Sequence, residues 1–222
     1  MNAASTLRSA TAFPVEEIDP RKRRTIDALL QAAEEVFGER PADEITVEEI
    51  AARAGVAVGS IYNHFGSKAG LQTAVLDRAL ALDRSYMDRA YTEGRTPADQ
   101  IAAAAEQYLR FYLEHPDYFR MLAFPPEPGH YPAARELAER LAERVDEQNA
   151  RLVDALQRAI DAGEVRELDA RAVATFLWAS WNGVISLAWR PDALRHDERE
   201  LRELLAAATD VIALGLSPRG TL

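Results

Sequence analysis

The chain has 222 residues, 48% of them apolar, which fits one large domain or a small one plus a medium one and is enough to fill a real core. It has no cysteine, which excludes disulfides, thiolate metal sites and cysteine nucleophiles and suits a reducing cytosol. The formal charge of −10 argues against generalised nucleic-acid binding and requires any such function to rest on a local positive surface.

Residues 1–19 mix Ala, Ser, Thr and Pro without periodicity and are expected to form a flexible tail. After Pro20 the chain reads as helix almost throughout, rich in Ala, Leu, Glu and Arg. The densest basic run, Arg21-Lys22-Arg23-Arg24, opens the first helix. Its apolar stripe is Ile26, Leu29, Leu30, Ala33, Val36 and Phe37, and Gly38 is placed to stop it. Thr46-Val47-Glu48-Glu49 reads as a capping box opening a short helix through Arg53. Ala54-Gly55-Val56 breaks it, with Gly55 where a tight reversal favours positive φ. A third short helix follows at about 57–64, and Ser67 is suited to cap a long fourth helix to about Thr92. Glu93-Gly94-Arg95-Thr96-Pro97 reads as a turn at a domain boundary.

Beyond it, Ile101, Ala105, Tyr108, Leu109 and Tyr112 form one stripe, and Pro116 restarts a short helix. Pro125-Pro126-Glu127-Pro128-Gly129 must be loop. A long amphipathic helix carries Leu137, Leu141, Val145, Leu152, Leu156 and Ile160 and ends at Gly163. Asp169 caps a helix through Trp189 that is apolar on nearly every side, and Leu201, Leu204, Leu205, Ala208, Val211 and Ile212 stripe the last. No stretch reaches the roughly 18 consecutive apolar residues of a membrane span, and the N-terminus lacks a signal-peptide pattern.

Two short helices around a tight turn need a small Ala51, a permissive Gly55 and a buried wedge of Ile50, Val56 and Ile61, continued by Phe65. Val58, Gly59, Ser60, Tyr62 and Asn63 then fall on the opposite face. A glycine inside a helix costs about 1 kcal/mol relative to alanine. Close approach of a nucleic acid would repay that cost at Gly59; a frayed first turn would lower it. At this point residues 46–68, with Gly55-Val56, Gly59-Ser60, Ile61-Tyr62, His64-Phe65 and Ser67-Lys68, closely resemble the DNA-binding signature of the tetracycline-repressor (TetR) family.

The resemblance implies an all-α protein. An N-terminal helix-turn-helix domain at 20–66 is joined by a linking helix at 67–93 to an effector-binding and dimerisation domain at 94–222. It assigns Thr46 to capping and a phosphate contact, Val58, Gly59 and Ser60 to the major groove, and Tyr62, His64 and Lys68 to phosphates. Asn63 and Arg23 join the expected DNA-contacting set. Hydroxyl, imidazole and ammonium groups are chemically apt phosphate partners, and such contacts position without reading sequence. Val58 offers only apolar contact, such as to a thymine methyl. Many relatives place a polar group there, and many place serine where Ala57 stands.

The resemblance further implies a homodimer through helices at about 169–189 and 198–215, which would cover the otherwise bare side of an all-apolar helix. Trp181-Asn182-Gly183 resembles a Trp-His-Gly sequence of one branch of the family. An effector pocket is expected among Tyr108, Phe111, Tyr112, Met121, Phe124, Trp178 and Asn182, admitting a small, largely apolar molecule. The implied protein is a cytoplasmic one-component regulator, expected to be a repressor released from a pseudo-palindromic operator by its effector. No cofactor, metal or membrane partner is expected. An enzyme is disfavoured: His64, His115, His130 and His196 form no metal-ligand pair, and no phosphate-cradling glycine loop is present. Glu114-His115-Pro116-Asp117 reads as a helix break with a restart. The alternative is a helical protein-interaction module that has lost DNA binding, kept open by the near balance of acids and bases in residues 20–68.

Overall fold

A computed structural model describes residues 19–40, 44–92, 95–124 and 132–218. Residues 1–18 of the expected tail, Glu93 and Gly94 of the turn, the loop at 125–129 and the side chain of Leu137 lie outside the described residues. Nine α-helices and one short 3-10 turn appear among those described, without strands.

Helix α1, Pro20–Glu39, starts on Asp19, whose carboxylate accepts from the Arg21 N–H at 2.9 Å, with proline at the first position. It buries Leu29, Ala32, Ala33 and Val36. Gly38 does not stop it. The helix runs on to Glu39, and the glycine is needed elsewhere: a Cβ there would lie 2.9 Å from Oδ1 of Asp117. Helices α2, Val47–Ala54, and α3, Gly59–Phe65, flank the tight turn. Gly55 adopts φ 68°, and Ile50, Ala51 and Ile61 are fully enclosed. Only half of the expected capping box forms. Thr46 Oγ1 accepts from the Glu49 N–H at 3.2 Å, but the Glu49 carboxylate pairs with Arg40, where a charge-assisted bond outcompetes a neutral N–H.

Helix α4, Lys68–Ala90, is capped by Ser67, which accepts from the Gly70 N–H at 3.0 Å. It packs on α1 and α3 at its start and on α5 (Pro97–Glu114), α6 (Pro116–Ala123) and α7 (Pro132–Asp161) further along. A Tyr86 hydroxyl bond to Glu114 ties it to α5. Helix α6 also packs against α1, so the N-terminal bundle meets the rest of the chain through both α4 and α6.

Helix α8, Ala170–Ser186, continues into a 3-10 turn through Trp189. Asp169 caps it, accepting from the Ala172 N–H at 3.0 Å. Together the two are long and apolar enough to cross a membrane, although the sequence shows no unbroken apolar run. In the fold this segment is a packing helix: Ala174, Leu177, Trp181 and Ile185 are buried among α5, α7 and α9. Helix α9, Glu198–Leu216, opens on a complete capping box between Asp197 and Glu200 and buries Leu201 and Leu205.

Candidate DNA interface and effector cavity

The turn and the buried wedge leave one face of α3 outward. Gly59, Tyr62 and Asn63 are exposed on it, Tyr62 to 53%, while Ser60 and His64 are half-buried. Val58, just before α3, packs partly against the core. Gly59 has an ordinary backbone, and a Cβ there would meet nothing within 4 Å. Neither strain nor internal crowding therefore calls for glycine at this position. His64 buries an Nδ1 atom that finds no hydrogen-bond partner.

Lys68 is held as well as presented. Its half-buried side chain reaches back to donate to the Ile45 carbonyl, stapling the start of α4 to the entry of α2. Arg23 is exposed in the first turn of α1, and Thr46 is exposed at the entry to α2.

Gly70 is a glycine that sequence reasoning missed. A Cβ there would sit 2.0 Å from the Phe65 carbonyl oxygen, so only glycine lets α4 pass this close beneath the end of α3. Gly66, at φ 75°, makes the turn between them.

The second site is a cavity of about 50 Å³ enclosed by α4, α5, α6, α7 and α8. Of the residues expected to contact an effector, Tyr108, Phe111 and Trp178 line it. Asn182 stands one layer back and accepts from the Tyr108 hydroxyl at 2.8 Å. Tyr112 and Phe124 instead meet Trp189 edge-to-face, with ring centres 5.3 and 5.6 Å apart. Met121 is half-buried against the core and does not line the cavity. The lining also includes residues that sequence reasoning did not assign to the pocket: Asp83 and Met87 of α4, Tyr91 at its C-cap, Gln148 and Asn149 of α7, and Trp181 of α8.

Asp83 is buried, 8% exposed. Burial pushes its carboxyl up to about 7, against the opposing pull of Arg151. Burial also raises the Tyr91 and Tyr108 hydroxyls, keeping both neutral. Between the two sites, burial raises the Glu34 carboxyl on α1, with the Tyr118 hydroxyl and Arg78 beside it acting the other way.

Outward faces of α8 and α9 carry large apolar groups. Phe176 is 60% exposed, Val211 70% and Leu214 76%.

Comparison with known proteins matches residues 29–75 to the family of bacterial regulatory proteins of the tetR type. Residues 101–212 match the tetracyclin repressor-like C-terminal domain. The transcriptional repressor BepR of Brucella suis is 46% identical over 55 residues, covering 25% of this chain and 26% of that protein. The transcriptional repressor KstR2 of Mycobacterium tuberculosis is 27% identical over 169 residues, covering 72% of this chain and 78% of the relative. Its structure, described as a ketosteroid transcriptional regulator, superposes with a TM-score of 0.68 over 91% of this chain and 98% of that one, at 20% identity. FadR of Bacillus subtilis, solved with stearoyl-CoA, gives 0.70 over 86% and 98%, at 19% identity. These last two likenesses establish the fold alone.

Proposed function

The chain belongs to the TetR family of transcriptional regulators, and from that premise we propose that it is a cytoplasmic repressor that binds a pseudo-palindromic operator as a homodimer and releases it when a small molecule enters the cavity. The observation that carries the reading is Gly59: a glycine on the outward face of a short helix, required by neither backbone nor packing. It leaves the helix bare where a groove wall would approach.

In this reading residues 20–66 form the DNA-binding unit, 67–93 the linking helix and 94–222 the effector and dimer unit. Val58, Gly59 and Ser60 enter the major groove, and Asn63 lies beside them. Thr46, Tyr62, His64, Lys68 and Arg23 hold phosphates. The exposed Tyr62 supplies a polar group on this face, and His64, whose Nδ1 is buried, would reach a phosphate through Nε2. Affinity depends strongly on salt, because phosphate contacts dominate and the surrounding acids dilute the positive field.

Dimerisation is placed on α8 and α9, whose exposed Phe176, Val211 and Leu214 would be covered by their two-fold mates. Operator binding then requires two recognition helices about 34–36 Å apart. The cavity touches α4, which reaches the recognition helix directly, and α6, which contacts α1 at Gly38. A molecule wedged into so small a space must move one of these helices. Its effect equals its differential affinity for the two arrangements, about 1–3 kcal/mol for such couplings. The test is a gel shift against DNA flanking the chain's own gene. A salt-sensitive, sequence-selective shift of a dimer supports the regulator. No shift with any fragment favours a protein-interaction module.

A further inference from the structure

The effector cavity is mostly apolar and aromatic; its lining also holds Arg144, Gln148 and Asn149, and one buried acid, Asp83, whose neighbouring arginines are committed elsewhere. The Arg151 guanidinium bonds Asp88 at 2.8 Å and Gln148 at 3.3 Å, and lies 4.7 Å over the Tyr91 ring. Arg144 is paired with Glu147 at 2.7 Å. Across the cavity, the Tyr108 hydroxyl donates to Asn182. No hydrogen bond reaches the Asp83 carboxylate from these groups.

Buried polar groups are normally satisfied, and a lone carboxylate among aromatic rings is costly. The fold nevertheless holds Asp83 nine-tenths buried, on the wall of the cavity and on the helix that leads to the recognition element. A positively charged group arriving with a ligand would relieve that cost. The flanking rings of Tyr108, Trp178 and Trp181 would stabilise the same charge through their negative faces. An anionic head group would instead meet Asp83, while the two nearby arginines are already paired.

We propose that the effector is an amphipathic amine, its apolar body against the aromatic wall and its protonated nitrogen against Asp83. This rests on the reading of the cavity as the effector site. The space of about 50 Å³ lies far below the roughly 300 Å³ or more of a formed ligand pocket. The amine therefore enters by parting α4 from α7 and α8, which converts charge recognition into movement of the DNA-contacting end.

The experiment titrates the intact protein with 4-phenylbutylamine, 4-phenylbutan-1-ol and 4-phenylbutanoate, which share one body and differ in the terminal group. Binding is read by calorimetry and by quenching of Trp178 and Trp181 fluorescence, and operator release by anisotropy of labelled DNA. The amine should bind at least about tenfold tighter than the alcohol, equivalent to about 1.4 kcal/mol, with the carboxylate weakest. Asp83→Asn should bring the amine down to the alcohol's affinity and leave the alcohol within about twofold. Asp83→Leu, which introduces no new polar group, should do the same.

An amine preference that survives both substitutions, an alcohol or carboxylate that binds as well as the amine, or no binding by any of the three overturns the proposal. Operator release caused equally by all three compounds would also overturn it and leave the effector reading intact. Asp83-dependent amine binding without operator release would do the reverse, keeping this site and removing its regulatory role.

Discussion

Replacing Asp83 by asparagine tests whether its burial on the cavity wall raises the proton affinity of this carboxyl. The acid's pKa rises on folding from 3.8 to about 7, mainly through burial. Between those values the folded chain keeps a proton that the unfolded chain has released. Stability from this group is therefore complete below the lower value and is lost as pH rises through the upper one. Every tenfold difference in proton affinity between the folded and unfolded chain is worth about 1.4 kcal/mol, so from about pH 5 to about pH 8 the wild type loses roughly 3 kcal/mol that Asp83→Asn does not lose. Both proteins keep Arg144, Arg151, Asp88, Tyr91 and Tyr108 around this position, so the difference between them reports the loss of the Asp83 carboxyl. For a chain of this size, 3 kcal/mol is about 6–12 °C in melting temperature, provided both are compared at one protein concentration. Urea unfolding across that pH range measures it. A variant-minus-wild-type difference that stays flat within about 1 kcal/mol would mean that water reaches the carboxylate, and the reasoning would be wrong.

Two glycines should behave oppositely. Gly59→Ala faces open space and should keep or raise stability by up to about 1 kcal/mol while weakening operator binding at least tenfold. Gly70→Ala drives a methyl into the Phe65 carbonyl, so thermal unfolding should show a loss of about 2–4 kcal/mol, with DNA affinity falling alongside. Lys68→Ala should reduce the salt slope of DNA binding by about one ion and weaken all sequences alike; because Lys68 also staples α4 to Ile45, its melting temperature should fall too. Leu214→Glu, at an exposed position, should leave the helical circular-dichroism signal unchanged and convert the dimer to monomer in sedimentation, with loss of operator binding.

The helices were legible because their signals are local. Asp169 and Ser67 cap where their residue types favour capping, Gly55 takes the left-handed turn, and the stripe of α1 buries Leu29, Ala33 and Val36, while that of α9 buries Leu201 and Leu205 but leaves Val211 exposed. The long motif at 46–68 made the helix-turn-helix readable as well. Contacts between helices distant in sequence were not readable. Gly38 resembles a helix stop until Asp117, far along the chain, appears beside it. Gly70 lies only five residues from Phe65, but its closeness to that carbonyl depends on how α4 turns back against α3. Asp83 reads as a polar position on an amphipathic helix, because nothing local announces that α5, α7 and α8 will close over it. The aromatic residues between 108 and 124 were identifiable as a group, but which of them faced the cavity depended on helix rotation. That rotation sends Tyr108 and Phe111 to the cavity and Tyr112 and Phe124 to Trp189.

The most direct measurement is selection of bound sequences from random duplex DNA, with the stoichiometry of the selected complex determined by light scattering. The expected product is a two-fold-related pair of half-sites with centres about one helical turn apart, occupied by a dimer and abandoned as salt rises. Enrichment of nothing beyond chance, or tight binding by a single chain, would contradict a paired recognition surface built around Gly59.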